Sequence, residues 1–295
     1  MSRNEMEYIF HLANQIDQGG LWHQPIFTNK TVAGLFYSPS SRTKDSTRLA
    51  AMNLGCKVIG FDDPKMSSKE KGESLEDAAR LYSGYVARGG YGLIFVRHPK
   101  AGSAQIVSNY SEVPVINCGD GPYEHPTQTL IDLYTIKKHK DRIDGLDICI
   151  IGDLKHGRTV HSLVLGLEKF KDIQISLSPL EGLELPGEWL EKITHPCRQV
   201  DLPLGTASFD VVYVTRVQKE YLSREENDKV AKQNYHINYG YLTYCNKQTL
   251  IMHPLPRDGE INPEIDEDPR SIYFEQAANG VPVRMALIKH FLKRR

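Results

Sequence analysis

Four arginines, Arg42, Arg97, Arg158 and Arg216, each stand just after an apolar run of the sequence, and two histidines, His125 and His253, occupy the same kind of place. Guanidinium groups suit phosphate and carboxylate, whose oxygens they can bind two at a time. The densest cluster is Ser40-Ser41-Arg42-Thr43. Its hydroxyls and forked cation fall where an apolar strand (Val32 to Tyr37) turns into a helical pattern that closes at Gly55, with Leu49, Met52 and Asn53 spaced to share a face. The unpaired N–H groups of a first helical turn and the helix dipole both favour an anion there. An ordinary Ser/Thr-capped helix with a surface arginine would look similar, so the number of such clusters carries the weight. One arginine at a strand end is most often an ion-pair partner; four point to a substrate, or a substrate pair, with several anionic groups. His125, before Pro126 at a helix start, reads either as a helix-entry residue or as a donor to a polarised oxygen. His253 reads as structural, and Lys71 by itself as solvated loop charge.

Other chemistries lack their residues. There is no serine-hydrolase elbow, HExxH, strand-borne GxGxxG or Walker lysine motif. Nothing demands metal, flavin or nicotinamide. The residues describe a cofactor-free transferase that works by positioning and cationic stabilisation.

The elements that must hold these groups follow from periodicity. The chain has 295 residues, enough for two domains, with 40% hydrophobic and 25% charged residues. A formal net charge of −1 argues against attraction to nucleic acid or an acidic membrane. The start carries no signal-peptide apolar core and no run is long enough to span a membrane. Five dispersed cysteines, with no CxxC pair, suit neither a zinc site nor a disulfide framework, so a reduced, cytoplasmic protein is expected. Helices are expected over 4–18, from the capping box at Ser74 to about Tyr85, from His125, over 159–170, 186–193 and 223–233, and from Ala277 to Leu292 with Val283, Ala286, Leu287, His290 and Phe291 inward. Apolar strands are expected at 32–37, 57–61, 93–96, 113–117, 146–151, 173–177, 209–214 and 250–252, with residues 62–72 as a mobile loop. Strands alternating with helices imply an α/β fold of two doubly wound domains, each with a central parallel sheet flanked by helices, the change falling near residues 128–145. In such sheets ligands bind beyond the carboxyl ends of the strands, where the singled-out residues lie.

The motifs Pro39-Ser-Ser-Arg-Thr43, Lys71-Gly-Glu73, Arg97-His-Pro99, His125-Pro-Thr-Gln128, Gly152-Asp-Leu-Lys155, Gly157-Arg-Thr-Val-His-Ser162, Thr215-Arg-Val-Gln-Lys-Glu220 and His253-Pro-Leu-Pro-Arg257 occur in that order. In them the chain resembles, over nearly its whole length, the catalytic chains of the aspartate carbamoyltransferase family. Ornithine carbamoyltransferases share the fold but typically carry a cysteine in the stretches that here read His125–Gln128 and His253–Arg257. The resemblance implies a carbamoyl-phosphate-binding domain over 1–130, with a C-terminal helix (276–295) packing back on it, and an aspartate-binding domain over 131–275. It implies that Ser40, Ser41, Arg42 and Thr43 hold the phosphate with help from Arg97. Thr43, Arg97 and His125 would donate to the carbamoyl oxygen, and Gln128 would orient the carbamoyl NH2. Arg158 would grip the α-carboxylate of aspartate, Arg216 and Gln218 its side-chain carboxylate, and the Leu255 and Pro256 carbonyls would lie near the amino groups. Ser67 and Lys71 would reach in from a neighbouring subunit of a homotrimer. The implied activity is transfer of the carbamoyl group to the α-amine of L-aspartate in pyrimidine biosynthesis, without cofactor or metal; a regulatory chain is a further partner the family allows. The alternatives are a carbamoyltransferase for another amino acceptor and a non-catalytic relative. Three departures stand out: Ser38 where the family usually has glutamate, Tyr221 where it commonly has arginine, and Glu70 where it often has lysine. The first two together remove an ionic latch between domains, so closure is expected to be driven by substrate bridging.

Overall fold

The computed structural model describes residues 1–61, 72–201, 209–233 and 236–293. The chain divides into two compact units: unit 1 is residues 1–134 with the chain from Ala278 onward, and unit 2 is Thr135–Ala277. Each is an α/β layer structure built on one all-parallel sheet, as the alternation of strand and helix patterns implies.

Unit 1 opens with α1 (Arg3–Asp17), started by a capping box in which Ser2 Oγ accepts from the Glu5 N–H at 3.3 Å and Ser2 N donates to Glu5 Oε2 at 2.9 Å. Its stripe Met6, Ile9, Phe10, Leu12, Ala13 and Ile16 is buried. There follow β1 (Thr31–Phe36), α2 (Ser41–Asn53), β2 (Lys57–Phe61), α3 (Leu75–Arg88), β3 (Gly92–His98), α4 (Ser103–Asn109), β4 (Val115–Asp120) and α5 (Pro126–Lys140), the last continuing into unit 2. The strand order is β2-β1-β3-β4. Residues 93–96 of β3 are all within 1% of full burial, as expected of a strand covered on both faces. Each such Val, Leu, Ile or Phe contributes about 1.5–3 kcal/mol through apolar burial. The chain's last helix (Gly280–Lys293) packs on α1 and α2.

Two details depart from the sequence expectation. The buried face of α2 is Thr43, Thr47, Ala50 and Ala51, while Leu49 and Met52 stay about half exposed. Small residues let α2 lie close to its neighbours, and apolar spacing alone misjudges which side that is. The short helix α4 was not expected. Its first turn is capped from β4: Asp120 accepts from the N–H groups of Gly102 and Ser103, each at 2.9 Å. The sequence around α4 holds no acceptor in the capping position, since Gly102 occupies it.

Unit 2 runs through β5 (Asp147–Gly152), α6 (Arg158–Leu167), β6 (Gln174–Pro179), α7 (Gly187–Leu190), β7 (Cys197–Gln199), β8 (Val211–Val214), α8 (Arg224–Val230), α9 (Tyr239–Leu242), β9 (Leu250–Met252) and α10 (Tyr273–Ala278). The closing helix of unit 1 is then α11. The sheet order is β7-β6-β5-β8-β9. Strand β7 was also not expected; its three residues are exposed and carry no apolar alternation. The core of the unit gathers Cys149, Ile151, Val212, Val214 and Ile251 from β5, β8 and β9.

Both sheets reverse direction once. Sequence neighbours pass to one side of β1 and then to the other, and the same happens at β5. The reversal lies between β1 and β3 in unit 1 and between β5 and β8 in unit 2. At these points the connections diverge and leave the strand ends uncovered, which is where open α/β sheets take ligands.

Candidate active site

In unit 1 the reversal point is occupied by the hydroxyl-rich turn and Arg97. Phe36 and Arg97 are register neighbours, and the next N–H, that of Tyr37, donates to the Arg97 carbonyl at 2.8 Å. The chain then turns through Ser38, Pro39 and Ser40 into α2. Ser40 is the residue before the helix, and its side chain makes no capping bond. Ser41 and Arg42 are exposed in the first turn and Thr43 is buried. No acidic residue occupies that turn, so the positive end of the helix dipole is not neutralised from within the helix. The Ser38 hydroxyl is buried with no hydrogen-bond partner among the described residues.

Arg97 is held from below. Its Nη1 donates to the Cys118 carbonyl of β4 at 3.3 Å. The turn after it is clasped by His98, whose Nδ1 accepts from Lys100 N at 3.0 Å and lies 2.7 Å from Ser103 Oγ. Gly121, with φ of 57°, presses against the same turn. A Cβ there would stand 2.6 Å from Ala101 N, so only glycine allows the approach. His125 is buried just before α5, its Nδ1 3.3 Å from Thr127 Oγ1. Gln128 donates to Asp132 at 2.8 Å one turn along, which fixes the direction of its amide. The structure therefore brings Ser40, Ser41, Arg42 and Thr43 beside Arg97 at one sheet end, with His125 just before, and Gln128 in the first turn of, the helix that follows the adjacent strand. Ser67, Lys71 and Glu70 lie outside the described residues.

In unit 2 the reversal point carries the remaining arginines. Strand β5 ends at Gly152, and the turn Asp153–Gly157 leads to Arg158, the first residue of α6. Strand β8 ends at Val214, followed by Thr215 and Arg216. The Thr215 hydroxyl donates to the Ile151 carbonyl at 3.0 Å, locking the two strand ends together. Asp153 then ties the two turns. One of its oxygens accepts from His156 N and the other from Gln218 N, each at 2.9 Å, and the side chain is fully buried. Nothing in the local sequence distinguishes Asp153 from a turn-forming aspartate. Its partner lies 65 residues away.

Arg216 forms a two-pronged pair with Glu220, through Nη2 to Oε1 at 2.5 Å and Nη1 to Oε2 at 3.1 Å. Nη2 also donates to Gln218 Oε1 at 3.0 Å, so the Gln218 NH2 group is turned away from Arg216 as a donor. Burial alone would push the Glu220 carboxyl up, but Arg216 and, more weakly, Arg158 hold it below its ordinary value. Tyr221, exposed, stacks on His156 with ring centres 5.8 Å apart.

The third turn follows β9. Leu255 has φ of 54° and is joined to Pro256 by a cis peptide bond. Its shape is fixed by a buried pair that sequence reading did not find. His253 Nδ1 accepts from Leu255 N at 2.7 Å, so Nε2 carries the proton and donates to Glu260 Oε1 at 2.6 Å. Glu260 Oε2 accepts from Asp258 N at 2.8 Å. Burial pushes the Glu260 carboxyl up, yet His253 and the Asp258 N–H outweigh it and leave the carboxyl below its usual value. A depressed carboxyl stabilises the folded state fully above its unfolded pKa of about 4.3 and loses that contribution as pH falls through the folded value. Glu260→Gln is therefore expected to cost about 2 kcal/mol at pH 7, the range for hydrogen bonds to a charged group. The gap between wild type and variant in denaturant unfolding should close toward pH 3. A gap that does not change with pH would show that the carboxylate is not the stabilising form.

Among the described residues no group of three or more His, Cys, Asp or Glu could hold a metal ion, and no helix is long and apolar enough to cross a membrane.

Comparisons with known proteins agree with this geometry. Residues 1–138 match the family model described as the carbamoyl-phosphate-binding domain of aspartate/ornithine carbamoyltransferase, and residues 144–291 match its aspartate/ornithine-binding domain. The aspartate carbamoyltransferase catalytic subunit of Thermoplasma acidophilum is 44% identical over 280 residues, covering 94% of this chain and 89% of that one. That of Clostridium kluyveri is 41% identical over 291 residues, covering 97% and 94%. Among solved structures, the catalytic subunit of M. jannaschii aspartate transcarbamoylase superposes with a TM-score of 0.88 at 39% identity, covering all of this chain and 96% of that one. The Trypanosoma cruzi enzyme in complex with N-(phosphonacetyl)-L-aspartic acid gives 0.88 at 32% identity, covering 97% and 92%.

Proposed function

The chain belongs to the aspartate/ornithine carbamoyltransferase family, and from that premise we propose that it is the catalytic chain of an aspartate carbamoyltransferase, joining carbamoyl phosphate to L-aspartate to give N-carbamoyl-L-aspartate and phosphate. The observation that carries the reading is the position of the four arginines. Arg42 and Arg97 flank the reversal point of one sheet, and Arg158 and Arg216 flank that of the other. Unit 1 supplies a helix N-terminus with hydroxyls for a phosphate. Unit 2 supplies two cations and Gln218 for a molecule with two carboxylates. An acceptor with a single carboxylate, such as ornithine, would leave Arg216 and Gln218 without a use.

The chemistry asks for little else. The neutral α-amine of aspartate attacks the carbamoyl carbon, a C–N bond forms, and the bond to the phosphate oxygen breaks. Negative charge grows on the carbamoyl oxygen, where Thr43, Arg97 and His125 donate. Preorganised donors of this kind supply several kcal/mol each. Gln128 orients the carbamoyl NH2, and the Leu255 and Pro256 carbonyls receive amino hydrogens. The departing phosphate accepts the amine proton, so no further base is required. Ser67 and Lys71, contributed by a neighbouring copy, complete the set in a cytoplasmic homotrimer, and the product feeds pyrimidine synthesis. A regulatory chain is compatible with this reading.

The test is an assay of purified protein with carbamoyl phosphate and either aspartate or ornithine. Carbamoyl-aspartate should form with at least a hundredfold preference over citrulline, the measure of a buried carboxylate left unpaired or a cation left empty. Citrulline formation would reassign the acceptor, and the absence of both products would leave a non-catalytic relative.

A further inference from the structure

The turn Asp153–Gly157, which delivers Arg158, is pinned from several sides. The N–H groups of Leu154 and Lys155 both donate to the Leu183 carbonyl, at 3.0 and 3.1 Å. Gly157 closes the turn tightly: a Cβ there would stand 2.5 Å from the Asp153 carbonyl. The Leu154 carbonyl is reached by a side chain. Nε2 of His161, one turn along α6 from Arg158, lies 3.1 Å from it. A carbonyl oxygen only accepts, so Nε2 carries the hydrogen. Leu154 is fully buried and His161 is 3% exposed, so water does not compete for either group. A buried carbonyl without a donor is costly, and the backbone around it shifts to find one.

The imidazole is itself fixed from its face. It lies flat on the indole of Trp189, with ring centres 4.5 Å apart and planes 10° apart. Trp189 is the buried residue of α7, whose start has no side-chain cap. The Lys192 ammonium lies 3.9 Å from the centre of the same indole, an attraction that helps hold the ring in place. With its plane set by Trp189, the imidazole has little freedom to swing Nε2 away from Leu154.

Two carboxylate grips hang on this turn. Arg158 begins where it ends. Asp153, at its start, accepts from His156 N with one oxygen and from Gln218 N with the other. A turn that slackens at Leu154 therefore displaces Arg158 and the Arg216–Gln218 segment together.

We propose that His161 is a positioning residue for the amino-acid acceptor: through Nε2–H it holds the Leu154 carbonyl, with its ring locked on Trp189, and so sets both grips of unit 2. Its effect on turnover rests on those grips being the aspartate site. Ring packing in a core would by itself affect stability and leave the affinity for one substrate alone.

His161→Phe in the full-length chain keeps a ring against Trp189 and removes the donor. KM for aspartate should rise about tenfold, the scale of an unsatisfied buried carbonyl, with KM for carbamoyl phosphate within about twofold of wild type. His161→Gln, whose side-chain NH2 has a similar reach, should recover most of the loss. Amide hydrogen exchange across 153–158 and 216–218 should quicken in His161→Phe and recover in His161→Gln. Trp189→Leu leaves the donor in place and frees the ring. It should raise KM for aspartate about threefold, for a bond weakened rather than lost, and quicken the same exchange. If the variants fail to fold, 15N NMR of the imidazole-labelled wild type still reads the link: His161 should be protonated at Nε2. A neutral His161 protonated at Nδ1 overturns the proposal. So does a folded His161→Phe with an unchanged KM for aspartate, with equal rises for both substrates, or with unchanged exchange. The exchange and tautomer measurements do not depend on the acceptor. If they come out as expected while the wild type makes no carbamoyl-aspartate, the functional reading alone is refuted.

Discussion

Arg42→Ala is expected to lower kcat about a thousandfold, the upper range for loss of one preorganised charge-stabilising donor, while leaving the fold intact. The two halves of this expectation have one cause. Arg42 sits exposed in the first turn of α2, where no acidic residue offsets the helix dipole. A cation at the positive end of a helix is unfavourable by about 0.3–1 kcal/mol. Removing an exposed side chain opens no cavity, so the melting temperature should stay close to that of wild type. The same cation becomes favourable when a phosphate dianion arrives, and more so as charge passes to the leaving group. Saturation with carbamoyl phosphate should not restore the rate, because the lost interaction grows in the transition state. Steady-state kinetics beside thermal unfolding of the variant check this. Turnover within tenfold of wild type would remove Arg42 from the reaction.

The residues that could be read in advance share one property. Strands buried on both faces are continuous apolar runs, and a polar residue that ends such a run is conspicuous. Arg97 and Arg216 were visible for that reason, and Arg158 stands one turn beyond such a run. What stayed hidden was held by partners distant in sequence. Asp153 looks like any turn aspartate until Gln218 N is found on it. Helix α4 has no local cap because Asp120, from β4, supplies it. His253 reads as a structural histidine, and its pairing with Glu260 emerges only when the loop folds back. Cys118 carries a redox meaning in the sequence and a positional one in the fold, since what matters is the carbonyl under Arg97 and the sulfur against Thr127. The facing of α2 was misjudged for a packing reason. Alanine and threonine, not Leu49 and Met52, are what fit against α11 and the sheet.

Arg216→Ala is expected to raise the KM for aspartate by about a hundredfold or more, in keeping with the 2–5 kcal/mol lost when one partner of a hydrogen-bonded charge pair is removed, with little change in the KM for carbamoyl phosphate. The guanidinium is already engaged by Glu220 on two prongs and by Gln218 on one. A substrate carboxylate at Arg216 must therefore share the fork or displace Glu220. Displacement is cheap, because the Glu220 side chain is 50% exposed and returns readily to water. Glu220 then acts as a placeholder, keeping Arg216 extended from the strand end and sparing it the cost of ordering when substrate binds. For the same reason the alanine variant should fold normally, since a half-exposed Glu220 left alone is hydrated. Gln218→Ala, removing neutral hydrogen bonds only, should cost nearer fivefold. The decisive comparison is aspartate against asparagine, which differ at the carboxylate assigned to Arg216. Wild type should prefer aspartate strongly and Arg216→Ala should lose most of that preference. Equal losses for the two acceptors would place Arg216 away from the side-chain carboxylate and return the acceptor assignment to Arg158 alone.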